Sequence, residues 1–244
     1  MILTPDRVFR AGEATWPPAA TLVVNGWTIR MGLGGGRRVS AATPSHPPNA
    51  SEAFPDPAVA EQAMRALGQT PLVMVPDGQD GLDAVLAARG YKLKDPVVAL
   101  AAPVPDLARQ HPPPVTTFEV WPPLAIQAEI WAAGGIGPAR TAIMDRVTGP
   151  RTTILGRLCD RPAGCAFVAC DGDVAVMHAL EVAPSFRRGG LGRFMLAAAA
   201  GWAVRQGAAW LAVFVTRDNA AARALYTSAG LVPVAGYHYR ILTG

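Results

Sequence analysis

Cysteine is scarce in this chain, and the little there is forms no pattern. Cys159, Cys165 and Cys170 are odd in number and lack Cys-x-x-Cys spacing. That excludes a disulfide framework and a thiolate zinc site, and leaves them as small apolar strand residues. Long apolar runs are missing as well, and none approaches the ~20 residues that span a bilayer. The basic residues are almost all Arg, they are scattered, and the net charge is only +4. With no Lys/Arg block carrying interleaved aromatics, a nucleic-acid partner is not expected. His46, His111, His178 and His238 are isolated in sequence, so no metal is expected. Met1 to Ala11 carries Asp6, Arg7 and Arg10 without an apolar block, unlike a secretory leader. These absences point to a cytoplasmic protein.

What is present is enough apolar material, 50% of 244 residues, for one large core or two small ones. Its most informative stretch runs from Val182 to Leu231. The apolar run Val174–Val182 has the length of a strand, and Trp210–Val215 is another; runs with little alternation suit strands covered on both faces. Between them lie Arg187-Arg188-Gly189-Gly190-Leu191-Gly192 and an Ala-rich helix, whose Leu191, Met195, Ala198 and Trp202 repeat as one apolar face. Glycines ahead of a helix let backbone approach a ligand closely. The free N–H groups of the helix start then form an anion site. Arg187, Arg188 and Arg193 add charge suited to phosphate. The spacing fits neither the dinucleotide fingerprint nor a P-loop.

These residues resemble the GNAT superfamily of acyl-coenzyme A-dependent N-acyltransferases. Its signature Arg/Gln-x-x-Gly-x-Gly/Ala is matched by Arg187, Gly190 and Gly192. A second, Asn-x-x-Ala-x-x-Leu-Tyr-x-x-x-Gly-Phe, is matched by Asn219, Ala222, Leu225, Tyr226 and Gly230, with Leu231 in place of Phe. The resemblance covers roughly 115–244. It implies an α/β (α+β) fold with a mixed, mostly antiparallel sheet flanked by helices. It also implies acetyl-coenzyme A as co-substrate, without metal, and a small-molecule or peptide primary amine as acceptor. The cofactor would be held by Val182, Ala183, Arg187, Arg188, Gly189, Gly190, Leu191, Gly192, Arg193 and Asn219. Asn219 serves equally as a helix N-cap. A homodimer is one of the assembly states left open.

Acyl transfer to an amine needs a neutral amine, a stabilised oxyanion and a proton for the departing thiolate. Tyr226 is the candidate acid, since a phenol is protonated at neutral pH and the family uses the tyrosine at this position. The oxyanion donor would be a backbone N–H of the strand ending at Val182. For the base, Glu181 and His178 are three residues apart and are expected on opposite faces of their strand. Either acts through water, or no base is needed if the amine arrives neutral. Two other readings stay open: a non-catalytic acyl-coenzyme A sensor or interaction protein, and a transferase using another acyl donor.

Around this core the sequence predicts helices at 124–133 and 139–147 and strands near 152–159, 163–171, 173–182 and 237–242. Ala101–Thr117, with Pro112-Pro113-Pro114, reads as a stiff connector. The expected division is a degenerate GNAT-like domain at 1–105 and a catalytic domain at 115–244. In the former, Thr21–Met31 and Arg37–Ala42 read as strands joined by the turn Gly32–Gly36. Ala58–Leu67 and Leu82–Arg89 read as helices around a strand at Leu72–Val75. Aligning Gly90 with Gly230 puts Leu86 where Tyr226 stands, so the phenol is missing. Asp56 lies where an anion loop should precede a helix, and its carboxylate would repel a pyrophosphate.

Overall fold

The structure is a computed structural model that describes residues 2–46 and 54–243. In chain order it opens with α1 (Pro5–Ala14), a helix the sequence reading missed although its start is signalled. Thr4 caps it by accepting from the Arg7 N–H, Pro5 stands in its first turn, and Asp6 follows. Next come β1 (Ala20–Val24), β2 (Trp27–Met31), β3 (Thr43–Pro44), α2 (Pro57–Ala66), β4 (Leu72–Pro76), α3 (Asp80–Ala88), β5 (Lys92–Pro103) and α4 (Val104–Ala108). Then follow β6 (Thr117–Val120), α5 (Ala125–Ala133), α6 (Pro138–Asp145), β7 (Arg151–Leu158), β8 (Arg161–Asp171) and β9 (Val174–Val182). The chain ends with α7 (Leu191–Arg205), β10 (Trp210–Thr216), α8 (Ala220–Ser228) and β11 (Val232–Ile241). The result is a mixed α/β fold with a mostly antiparallel sheet flanked by helices.

Four expectations need correction. Thr21–Met31 is not one strand but the β1–β2 hairpin, because Asn25 and Gly26 both take positive φ, +41 and +83, as a tight turn requires. Arg37–Val39 is a short 3-10 turn, not a strand. The Pro-rich connector is ordered structure at its start: β5 runs to Pro103, and Val104 and Leu107 of α4 are buried. Proline is tolerated there because it occupies a strand end and a first helical turn. Cys165 and Cys170 are buried strand residues as read, but Cys159 is exposed. It shares with Asp160 the positive-φ turn between β7 and β8, at +50 and +57.

The chain forms two compact units that interleave along it. One comprises Met1–Pro17, Ala99–Val215 and Asn219–Val234; the other comprises Pro18–Val98, Thr216–Asp218 and Ala235–Gly244. In the first unit the strand order is β5-β10-β9-β8-β7-β6. Pairs β6–β7, β7–β8 and β8–β9 are antiparallel and β9–β10 is parallel. Gly156 and Gly164 face each other across β7 and β8. A Cβ on either would come within 2.7 or 3.1 Å of the Met195 sulfur. The two bare positions therefore make the depression into which α7 packs Met195 and Leu191, both almost fully buried. The alternate residues of β8 face the other way: the Cys165 thiol reaches the Gln127 carbonyl of α5 at 3.6 Å, and the Phe167 ring lies 6.0 Å from that of Trp16. So α7 covers one face of this sheet, and α5 and the end of α1 cover the other.

In the second unit β4 and β11 pair antiparallel, Leu72 opposite Ile241, and β1-β2-β3 form a small antiparallel sheet. Asp83 of α3 is held by both Arg240, at 2.7 and 2.6 Å, and His238, at 2.5 Å, of β11.

Candidate functional site

The site is built where β9 and β10 part. Their parallel ladder runs from Val174–Trp210 to Met177–Val213 and ends there, although β9 continues to Val182 and β10 to Thr216. Beyond Met177 the β10-facing edge of β9 therefore has no ladder partner. Immediately past that point β9 is bulged. Phe167 pairs with His178 and Cys165 with Glu181, so Ala179 and Leu180 together stand opposite Ala166. Ala179 takes φ +51, a left-handed conformation that a residue with a Cβ adopts only under constraint. The constraint comes from α5, whose Trp131 indole N–H donates to the Ala179 carbonyl at 2.8 Å.

The bulge overturns the expectation that His178 and Glu181 face opposite sides. In a regular strand residues three apart do so, but one inserted residue restores the phase. Both now share the face of Phe167 and Cys165, toward α1 and α5. They differ in surroundings. His178 is 6% exposed, and its Nε2 lies 2.8 Å from the Thr15 hydroxyl. That hydroxyl itself donates to the Ala11 carbonyl at 2.5 Å, so Nε2 is the donor to it. The imidazole centroid also lies 5.0 Å from the tilted Trp16 ring and 6.2 Å from Phe167, on which it stacks. Glu181 is half-buried and reaches the loop beyond α5, where a Cβ on Gly134 would lie 2.6 Å from its carboxyl carbon. Its carboxylate accepts from the Arg187 guanidinium at 3.0 Å.

The glycine loop leads into α7. Gly190 is its N-cap, at φ +80, and Arg188 before it is at φ +68. These two left-handed residues, one on each side of Gly189, turn the chain sharply into the helix, and no side chain caps it. The first N–H groups of a helix have no carbonyl within it; here they are those of Gly190, Leu191 and Gly192, following the exposed loop at Arg188–Gly190. A Cβ on Gly189 would meet Leu158 at 2.7 Å and one on Gly192 would meet Leu225 at 3.0 Å, so these glycines serve close packing as well.

The side chains expected around a cofactor differ in what already holds them. Arg188 is exposed at the loop. Arg187, besides its pair with Glu181, donates through Nε to the Val182 carbonyl at 2.9 Å. Arg193 is tied to Ser228 at the end of α8, 2.8 Å to the hydroxyl and 3.2 Å to the carbonyl. Asn219 caps α8, accepting from the Ala222 N–H at 3.0 Å. Leu191 is a core residue whose backbone alone faces the loop. Val182 ends β9, and the N–H of the following Ala183 is bonded to the Ala163 carbonyl at 2.9 Å. Tyr226 lies in the second turn of α8, 7% exposed, directly after the Leu225 that touches Gly192. Burial raises its phenol pKa well above 10, which keeps it protonated. The Cys165 thiol is likewise raised by burial and that of Cys170 is pushed up to about 12, so neither is a nucleophile. Among the described residues no cluster of His, Cys, Asp or Glu could hold a metal. No helix there is long and apolar enough to cross a membrane.

This arrangement fits a pyrophosphate with an extended amide arm: uncapped helix N–H groups for the anion, and an unpaired strand edge for the amides. Trp131, Gly134, Thr15 and Trp16 were missed by sequence reasoning. The helix containing Trp131 was expected, but nothing local signals that its indole reaches a carbonyl 48 residues away.

Residues 118–231 match the family model described as acetyltransferase (GNAT) family. No curated protein matches the chain. Among solved structures, it is similar to a GCN5-related N-acetyltransferase from Kribbella flavida, with 21% identity and TM-score 0.74 over 100% of this chain and 97% of that one. It is also similar to a tandem GNAT protein from the clavulanic acid biosynthesis pathway, with 16% identity and TM-score 0.62 over 97% and 87%. A third is a GCN5-related N-acetyltransferase from Sphaerobacter thermophilus, with 13% identity and TM-score 0.54 over 74% and 63%. At these identities the likeness is one of fold.

Proposed function

We propose, from the match of residues 118–231 to the acetyltransferase (GNAT) family model, that the chain transfers an acetyl group directly from acetyl-coenzyme A to a primary amine of a small molecule or peptide. The observation that carries the reading is the juxtaposition of an uncapped α7 start at Gly190 with the β9 edge left unpaired past Met177. One takes a pyrophosphate and the other continues as a ladder to the pantetheine arm, ending where β9 is bulged.

In this reading the backbone N–H groups of the β9 bulge stabilise the oxyanion as the amine nitrogen bonds to the thioester carbon. As the C–S bond breaks, Tyr226 gives its hydroxyl proton to the sulfur. Its raised pKa is no obstacle, since burial penalises the thiolate as an anion in the same way. The proton lost by the amine goes to water or to Glu181, the half-buried candidate base beside the bulge. His178 is assigned to packing, because its Nε2 is committed to Thr15 in a buried site. We also infer that residues 1–105 hold a copy of the same plan without a cofactor. The succession α2–β4–α3–β5 repeats α7–β10–α8–β11. The Tyr91 N–H bonds the Leu86 carbonyl at 3.1 Å as Leu231 bonds Tyr226 at 3.0 Å, and Asp56 caps α2 through its carboxylate at 2.9 Å where α7 is uncapped.

The experiment is a panel of amines with acetyl-coenzyme A, read by thiol release, alongside calorimetric binding. Release with one class of amine supports the transferase. Binding with no release from any amine favours an acyl-coenzyme A sensor, a reading prompted by the engagement of Glu181 with Arg187 and of His178 with Thr15. Binding of longer acyl-coenzyme A thioesters in preference to acetyl would change the donor.

A further inference from the structure

Gln127, Trp131 and Gly134 are spaced four and three apart, so they share one face of α5 and its C-terminal turn. All three meet the bulged part of the sheet. The Gln127 carbonyl accepts from Cys165, the Trp131 indole N–H donates to Ala179, and Gly134 abuts the Glu181 carboxylate closely enough that a Cβ would collide with it. Trp131 is 0% exposed, and a buried indole N–H needs an acceptor. The acceptor it has is the carbonyl of the bulge residue at φ +51. An alanine in that conformation persists only where its surroundings over-determine it. The bulge in turn decides two features of the site: it brings Glu181 onto the face of α5, and it turns the unpaired β9 backbone just past the last β9–β10 pair.

We propose that Trp131 is a positioning residue for acyl transfer. Its indole N–H holds the Ala179 carbonyl, and so fixes the bulge whose backbone donors and Glu181 carboxylate meet the reacting groups. The proposal rests on the acyl-transfer reading above. It differs from a packing role for Trp131, in which the bicycle matters and its N–H does not.

Trp131→Phe deletes the donor and keeps an aromatic ring. Displacement of catalytic groups by about 1 Å costs on the order of 10²-fold in rate, so kcat is expected to fall to that extent while acetyl-coenzyme A affinity, set at the α7 loop, stays close to that of the parent. In the protein without substrate, amide hydrogen exchange at 179–182 is expected to quicken roughly 10-fold, with Val174–Met177 unchanged, as a local opening confined to the bulge. Adding Ala179→Gly, which tolerates positive φ without a Cβ, is expected to recover part of the lost kcat. Exchange and kcat both at the parent's values would overturn the proposal. So would exchange rising along all of β9 with kcat tracking the folded fraction, which is the packing outcome. If Trp131→Phe fails to fold, benzothienylalanine at position 131 preserves the bicycle's shape and removes only the N–H, and the same outcomes apply. A parent protein without turnover sinks the acyl-transfer reading, whereas the exchange measurement separately decides whether Trp131 holds the bulge.

Discussion

The proposed mechanism gives the leaving-group proton to one hydroxyl, that of Tyr226. Its ring is part of the packing, so Tyr226→Phe is expected to leave the unfolding midpoint and acetyl-coenzyme A affinity nearly unchanged. Turnover should fall ~10²–10⁴-fold, the range for a general acid, where chemistry limits the rate. Parent-like turnover under those conditions would return Tyr226 to the core. The pH dependence has a definite sign. Burial raises the phenol pKa, so the acid form persists through the neutral and mildly alkaline range. The rate should climb with pH as the acceptor amine loses its proton, without a falling limb from phenol ionisation below about pH 10. A falling limb near pH 8 that disappears in Tyr226→Phe would contradict the burial argument.

At the scale of elements, the start of α7 and the α3–β11 contact make separate predictions. Gly190 combines φ +80 with the N-cap position, so Gly190→Val adds a β-branched side chain in a conformation it resists. Acetyl-coenzyme A affinity, titrated calorimetrically on folded protein, is expected to fall by on the order of 10-fold or more, since each ~1.4 kcal/mol lost is tenfold. An unchanged affinity argues against the loop as the anion site. In α3, Asp83 is lowered to about 2 by the Arg240 hydrogen bond, with His238 adding to it. In the unfolded chain the same carboxyl titrates near 3.8. A lowered folded pKa means that the stabilisation is whole above about pH 4 and is lost as pH falls toward 2. The stability difference between the protein and Asp83→Asn should be about 1–2 kcal/mol at neutral pH and shrink across that window in urea titrations. A difference independent of pH would place the stabilisation in something other than the charge.

For the whole molecule, the two element successions differ in what they leave open. α7 begins uncapped, whereas α2 begins on the Asp56 carboxylate. In the proposed copy the fully buried Leu86 stands at the place of Tyr226. One acetyl-coenzyme A per chain is therefore expected, and a calorimetric stoichiometry of two would refute the degenerate-copy reading. Asp56→Ser, which removes the charge but keeps a capping oxygen, should leave that stoichiometry at one, because a side chain still caps the α2 start.

The sequence by itself determined the elements that are written locally. The apolar runs of β9 and β10, the glycines before α7, the period of α7, and the Asn219-to-Gly230 frame of α8 all act through neighbours a few residues apart. That is why α7 begins at Leu191 and why Asn219 caps α8. The Pro-rich stretch misled because proline marks a strand end or a first helical turn as readily as a connector, and only the burial of Val104 and Leu107 distinguishes these. Tertiary structure alone decided the chemistry of β9. The bulge at Ala179 depends on pairing with β8 and on a hydrogen bond from Trp131 48 residues away. Read at a strand's regular period, His178 and Glu181 part to opposite faces; with the inserted residue they share one. Thr15 and Trp16 reach His178 across more than 160 residues. Such a side chain's partner is set by which surfaces dock, which no local spacing encodes.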